Sequence, residues 1–531
     1  MIWSIIKSIF FVVITPVVAT LIRELICYLK LNKYRSQGIG CYFYPIIGIR
    51  KSVPGGAFLK SIRKKVEEKV KGAQLVAGNS LIRLEPHLYI TGTKLLREFL
   101  LVENEYFKRT GISEQINPTK SFFFENGAKG MKYRSIFTEF FKAENINKIV
   151  PQIEAVFEES FKNLAVKLFE EKVQLDSEGQ VRLKEGVKVE DLEWQKVDFK
   201  PFLREPFDRM INVVMFGSKS AEDSPEFEGD KLYSEAMREF IILKRRSFLT
   251  MPNLLTGRLL SDWKLTAASR AAATEERKFF RIMKNFFEKR KGSGNYHGVN
   301  LLDLMIRHNL KCEEKGGNEE DLLDDQRIVD FMRTLHFAGY DTSKANSGFG
   351  LFNLSFYPEM REKFIKDVEM LNNQDPEKRD YDRAEYISKF VRENLRLLGP
   401  APGTFPRYCT KTCKIGGYKF YKGSIVSIRT DMFNTDPAIY DNPFEFDPER
   451  FEDKSTVVKA TRNLSNIPFY TGRRSCVAQY LGEMLVKIVL RTALTCFEIQ
   501  SDGESKRELE ALSVLEPKHI KLALKPKITI T

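Results

Sequence analysis

The chain has 531 residues, 43% of them hydrophobic, and its 85 Lys and Arg against 71 Asp and Glu give a formal net charge of +14. That length and apolar content exclude a disordered chain and allow one large core. The basic balance suits an anionic membrane or an acidic protein partner, and scattered lysines without a basic-aromatic module argue against nucleic acid.

Met1 to Ile22 is apolar apart from Lys7, a few hydroxyls and Pro16. As a helix this stretch reaches roughly 33 Å, enough for a bilayer core. Arg23, Lys30, Lys33, Arg35, Arg50 and Lys51 follow it. The positive-inside rule then leaves the N-terminus outside and the bulk of the chain in the cytosol. No small-x-small cleavage site follows, so a retained single-pass anchor is expected, not a cleaved signal peptide. The expected division is an anchor over 1–22, a basic linker over 23–52 with Tyr44-Pro-Ile-Ile-Gly48 as a stiff hinge, and a catalytic domain over 53–531. Seven cysteines with no C-x-x-C pair fit free thiols facing a reducing compartment. Cys409 and Cys413 lie in a strand-like stretch without a histidine pair, so no zinc site is expected there.

From Val53 to Leu101 the pattern reads as a basic amphipathic helix, a strand region from Leu81 to Ile90, and a second helix. A helix with Ile136, Phe137, Phe140 and Phe141 follows Gly127-Ala-Lys-Gly-Met-Lys-Tyr-Arg134. Residues 170–196 are charge-rich and read as a surface excursion. Pro206 to Phe216, stopped by Gly217, reads as a compact helix. Phe248 to Leu255 is an apolar loop, and a long helix ends in Lys289-Arg-Lys291 before Gly-Ser-Gly.

The strongest helical signal runs from Asp325 to about Leu354 and carries Ala338-Gly-Tyr-Asp-Thr-Ser343. A glycine inside a helix costs about 1 kcal/mol, so Gly339 asks for a reason, and a local groove is one. Thr342 offers a hydroxyl that can pass a proton, and Asp341 is a neighbouring acid able to feed it from solvent. Tyr357-Pro358 ends this helix. Another helix from Ser388 to Leu398 contains Glu393-Asn-Leu-Arg396, and Pro448-Glu-Arg-Phe451 lies downstream. Between them Pro406-Arg407 enters a strand and Gly416-Gly417 makes a hairpin turn. Phe497 to Gln500 and His519 to Ile530 alternate like terminal strands.

Near the C-terminus stands Phe469-Tyr-Thr-Gly-Arg-Arg-Ser-Cys476-Val-Ala-Gln479, followed by a helical pattern through Leu481, Met484, Leu485, Ile488 and Val489. Cys476 is thus expected at a helix N-terminus, where backbone N–H groups favour a thiolate. Gly472 lets the turn approach its ligand closely, and Arg474 can fork onto a carboxylate. A thiolate, a close-approach loop and a carboxylate-binding arginine describe a haem site, with sulfur on iron and arginine on a propionate.

These motifs, in this order, resemble the cytochrome P450 family. Phe469, Gly472, Arg474 and Cys476 match its cysteine-ligand loop, with Ala478 where a glycine is usual. Ala338 to Ser343 matches its oxygen-binding segment. The resemblance implies a mainly α fold with small β-sheets around haem b, with Cys476 as the metal ligand. It implies propionate contacts for Arg134 and Arg407. The tryptophan that commonly accompanies the first falls at Gly130 or Met131 and is missing. It implies a buried network of Glu393, Arg396 and Arg450, and puts Asn434 where a histidine is often found. It places the Phe248–Leu255 loop over the substrate channel, dipping into the membrane. The implied activity is a monooxygenase, inserting one oxygen atom from dioxygen into a small apolar substrate, with Thr342, Asp341 and Gly339 serving the oxygen side. Electrons would come from a separate NADPH-dependent flavoprotein reductase, with cytochrome b5 as a further partner, since the chain has no flavin or dinucleotide fingerprint. The implied place is the endoplasmic reticulum membrane, catalytic domain in the cytosol. Two alternatives stay open: an electron-independent isomerase or dehydratase of hydroperoxides, and a non-catalytic haem protein. Phe122–Phe124, Phe337 and Gly403–Phe405 say only that the substrate pocket is apolar.

Overall fold

The computed structural model describes residues 15–42, 74–78, 86–109, 123, 125–217, 236–237, 239, 267–316, 321–505, 509–511, 514–518 and 520–528. The N-terminal part is α1 (Thr15–Arg35), β1 (Gly40–Tyr42), β2 (Leu75–Gly78), β3 (His87–Ile90), α2 (Thr93–Tyr106) and β4 (Phe107–Arg109). The helical body follows as α3 (Gly127–Phe140), α4 (Ala143–Leu168), β5 (Val173–Leu175), β6 (Val181–Leu183), β7 (Gln195–Asp198), α5 (Phe199–Phe216), α6 (Ala267–Gly292), α7 (Leu301–Glu314) and α8 (Asp325–Phe356). Then come α9 (Pro358–Asn372), α10 (Glu385–Leu398), β8 (Arg407–Cys409), β9 (Cys413–Ile415), β10 (Tyr418–Phe420), β11 (Ile425–Ile428) and α11 (Thr430–Asn434). The chain closes with α12 (Lys454–Arg462), α13 (Gln479–Cys496), β12 (Phe497–Ser501), β13 (Leu509–Ala511), β14 (Leu515–Pro517) and β15 (Lys521–Pro526).

The core is helical, and α8 is its axis. Asp324 caps it by accepting the N–H of Arg327 at 2.7 Å. A Cβ at Gly350 would meet Leu490 Cδ1 at 2.8 Å, so the glycine lets α13 pack tightly on α8. Helix α4 lies against α13 and α5, and Arg491 of α13 reaches Glu158 of α4 at 2.8 Å. A second, smaller core sits on a mixed sheet ordered β1-β2-β3-β11-β8-β4. In it β3 and β11 run parallel, pairing Tyr89 with Ser427, while β8 is antiparallel to both β11 and β4. The terminal strands β12 and β15 pair antiparallel, with β7 on the far side of β15.

Three sequence expectations change. The linker expected from residue 23 instead continues α1, because Cys27, Leu31 and Tyr34 recur at helical spacing and are buried, the last two against the sheet. The helix expected from Pro206 starts at Phe199, where Asp198 accepts the N–H of Lys200 at 2.8 Å. Pro206 lies within it, and Gly217 ends it at φ 75° as expected from the sequence. Within Leu81–Ile90 the strand is His87–Ile90, and its antiparallel neighbour Leu75–Gly78 carried no sequence signal. Residues 1–14, the hinge Tyr44–Gly48, the basic helix expected after Val53 and the Phe248–Leu255 loop lie outside the described residues. Among the described residues no helix is long and apolar enough to cross a membrane.

Candidate active site

The cysteine loop is built from the core outward. Glu393 and Arg396 face each other one turn apart on α10, with Arg396 Nε 2.6 Å from Oε2 and Nη2 2.7 Å from Oε1. Arg450 Nε joins Oε1 at 3.0 Å, as does the N–H of Asp447 at 2.9 Å. Arg396 Nη1 also donates to the Asn434 carbonyl at 3.0 Å. The Asn434 side chain in turn accepts the N–H of Ile467 at 2.8 Å. Two residues on, the Phe469 carbonyl accepts the N–H of Cys476 at 2.9 Å. Asn434 therefore performs a structural task where the family often has histidine. Gly472 opens the last turn at φ 75°, a left-handed conformation that glycine adopts without strain.

This loop and α8 bound a cavity of about 530 Å³. Cys476, Phe469 and Arg474 line it from the loop, Ala338 and Thr342 from α8, Arg134 from α3 and Arg407 from β8. Gly472, Ala478, Gly339 and Asp341 are outside its lining. Asp341 is half-buried beside Thr342. A Cβ on Gly339 would meet no atom within 4 Å, so there is open space against this turn of α8. Thr342 Oγ1 donates to the Ala338 carbonyl at 2.5 Å, which leaves its lone pairs for another donor.

The Cys476 environment differs from the expectation. Its helix, α13, starts at Gln479, with Ala478 as the N-cap residue. The Ala478 N–H and the Arg134 guanidinium both favour the thiolate, but burial outweighs them and raises the thiol pKa. The side chain is accessible only in the sense that it opens onto the cavity.

Arg109, at the end of β4, also lines the cavity, and the sequence reading missed it. Burial first, then repulsion from Arg407 and Arg474, pulls its pKa well below the ordinary range. Arg474 and Arg134 are lowered too, mainly by burial. Glu103 of α2 meets this group of cations, 2.5 Å from Arg407 Nε. Arg109 Nε and Arg407 Nη2 are buried without an acceptor among the described residues. Four guanidiniums around one cavity, two with unfilled donors beyond what Glu103 satisfies, suit an anion with more than one oxygen.

Gly130 is one of the two positions, with Met131, at which the usual tryptophan would fall. A Cβ there would come within 2.4 Å of the Glu125 carbonyl oxygen, which itself accepts from Arg474 Nη2 at 3.1 Å. The backbone of Glu125 occupies the space that a large side chain on α3 would need.

The substrate side is not uniformly apolar, contrary to the sequence reading. Phe123, Phe337 and Phe405 line it, and Phe123 and Phe405 meet edge to face at 6.0 Å. Tyr89, Ser427 and Arg429 line the end nearest the sheet. Arg429 pairs with Asp431 through bonds of 2.9 and 3.0 Å, and His87 meets Ser427 at 2.8 Å. Phe122 and Phe124 lie outside the described residues.

A mainly helical fold whose central helix faces a cysteine loop across a cavity lined by four arginines fits a protein that holds an anionic cofactor beside a cysteine sulfur. Residues 78–524 match the family model described as Cytochrome P450, and the chain belongs to that family. It is 33% identical over 226 residues to Cytochrome P450 76A1 of Solanum melongena, covering 41% of this chain and 47% of that protein. It is 28% identical over 219 residues to (+)-piperitol/(+)-sesamin synthase CYP81Q2 of Sesamum radiatum, covering 41% and 42%. Cytochrome P450 3A12 of Canis lupus familiaris is 28% identical over 255 residues, covering 47% and 50%. The chain thus spans about half the length of the curated relatives it matches. Proteins of this family bind haem b. The residues present fit it: its propionates would answer the unfilled donors of Arg109 and Arg407, and the Cys476 sulfur opens onto the same cavity.

Proposed function

We propose that the protein is a haem-thiolate monooxygenase acting on a small, largely apolar organic substrate. The observation that carries this reading is one cavity shared by the Cys476 sulfur, the Thr342 hydroxyl and four arginines. Bound haem b would supply reductive activation of dioxygen. Cys476 would hold its iron through the sulfur, and Arg109, Arg134, Arg407 and Arg474 would hold its propionates. The Glu393–Arg396–Arg450 network would keep the ligand loop in place through Asn434 and Ile467. Thr342 would deliver protons at its Oγ1, resupplied from the Asp341 side. Phe123, Phe337 and Phe405 would exclude water and hold the apolar body of the substrate. Electrons would come from an NADPH-dependent flavoprotein reductase, with cytochrome b5 as a further donor, and the net charge of +14 suits acidic partners.

The same reading places the protein on the endoplasmic reticulum membrane through Met1–Ile22, with the catalytic part in the cytosol. Its support is the apolar N-terminus and the outward face of α1, where Leu21, Ile22, Leu25 and Leu29 are all more than half exposed. The test is reconstitution of the haem-loaded protein with reductase and NADPH. Ligands come from a spin-state screen of sterols, fatty acids and terpenoids. Product formation is expected only with reductant and dioxygen present. Product from a hydroperoxide without reductant would replace this reading with an isomerase or dehydratase.

A further inference from the structure

Asn346 has no role in the function above, yet its side chain lines the same cavity as Thr342. It is 1% exposed, and neither Oδ1 nor Nδ2 has a hydrogen-bond partner among the described residues. A buried amide left in that state is destabilising, and leucine would fill the same volume without that penalty. Its backbone is braced: the Asn346 carbonyl accepts Asn394 Nδ2 at 2.9 Å, and Asn394 Oδ1 accepts Asn353 Nδ2 at 3.0 Å. The turn that presents the amide to the cavity is therefore held by an amide chain, while the amide itself needs a ligand.

The position says which ligand. Asn346 lies four residues after Thr342 on α8, so the two side chains are neighbours on one helix face, with Cβ atoms about 5–6 Å apart. One water, making hydrogen bonds of about 2.8 Å, spans that gap. Thr342 Oγ1 spends its proton on Ala338 and can only accept from a further partner. The anionic groups of the cofactor answer to the arginines, not to a neutral amide.

We propose that Asn346 holds a water against Thr342 Oγ1 and is a positioning residue of the proton path. This rests on the monooxygenase reading for its purpose but not for its detection. The water either accepts from Nδ2 or donates one O–H to Oδ1, and in both cases donates an O–H to Thr342 Oγ1. When the Thr342 hydroxyl turns from Ala338 to deliver its proton, the water hands it another and regains its own from the Asp341 side, so the water ends unchanged.

The test is a double-mutant cycle on the haem-loaded protein with Thr342→Ala, Asn346→Leu and the double variant. A shared water makes the shifts in melting temperature non-additive, the double variant differing from the sum of the singles. Additive shifts overturn the proposal. If Asn346→Leu fails to load haem, the cycle is run with Asn346→Ala, and the same two outcomes decide. In turnover with reductase, Asn346→Leu is expected to lose as much product per reducing equivalent as Thr342→Ala. Asn346→Ser, which keeps a hydroxyl and leaves room for water, retains most of it. A wild-type protein without reductant-dependent product overturns the functional reading, whereas the melting cycle still decides the water. Weakened substrate binding with an unchanged product ratio would make Asn346 a substrate contact and overturn the proposal.

Discussion

Arg396 sets its guanidinium against both carboxylate oxygens of Glu393, at 2.6 and 2.7 Å, and both side chains are fully buried. On an exposed helix the same i,i+3 pair would contribute about 0.2–0.5 kcal/mol. Here it carries more, because Arg396 also binds the carbonyls of Asn434 and Pro443. Glu393→Gln leaves Arg396 and Arg450 as buried cations short of a counter-charge. The expected cost is about 3–5 kcal/mol, read from the urea midpoint, with haem lost on gel filtration. A midpoint within error of wild type would show that Arg396 holds its place through the carbonyls alone.

Cys476 is the cysteine that opens onto the cavity, whereas Cys496 is buried and its thiol is pushed up to about 12 by burial. Cys476→Ser is expected to abolish the red-shifted Soret band of the reduced carbon monoxide complex, while Cys496→Ser keeps it. The reverse result would move the ligand site.

Thr342→Ala removes the hydroxyl bonded to Ala338 without touching the arginines or Cys476. Haem content and substrate affinity are expected to hold. Oxygen uptake continues, with hydrogen peroxide replacing much of the organic product, because positioned proton delivery is worth about 10²–10⁴-fold. The ratio of product to reducing equivalents measures it, and an unchanged ratio would remove Thr342 from the path.

His87 gives the fold an acid sensitivity of predictable sign. Burial, reinforced by Arg429, lowers its pKa from 6.5 to about 3. The folded state therefore binds fewer protons than the unfolded state between those values. Its contribution is complete above pH 6.5 and is lost as pH falls toward 3, with a slope of at most about 1.4 kcal/mol per pH unit. His87→Gln should flatten the fall in urea midpoint between pH 7 and pH 4. Parallel curves for variant and wild type would assign the acid sensitivity elsewhere.

Deleting Met1–Ile22 tests the anchor. Part of the protein should leave the membrane fraction while haem binding persists, since Cys27, Leu31 and Tyr34, which bury α1, all lie beyond the deletion. The rest should stay bound and be released by salt, through basic residues and the apolar face of α1. Complete loss of folded protein would make the segment part of the core.

Residues that act within a few positions of one another were legible in the sequence. Helix α8 announced itself through its apolar spacing, and Cys476, Gly472 and Arg474 through a loop whose chemistry is local. The mainly helical fold was implied by the family resemblance that these motifs carry. Burial and long-range pairing decided the rest. Glu103 meets Arg407 across 304 residues of chain, and no local spacing encodes that contact. Arg109 enters the site because β4 pairs with β8, and Asn434 matters because Arg396 and Ile467 converge on it. The thiol of Cys476 shows the division most plainly. Its position before a helix argued for a lowered pKa, but packing around it raises the pKa instead. Sequence spacing governs which groups a residue can offer, and desolvation, set only when distant segments close around it, shifts how readily those groups ionise.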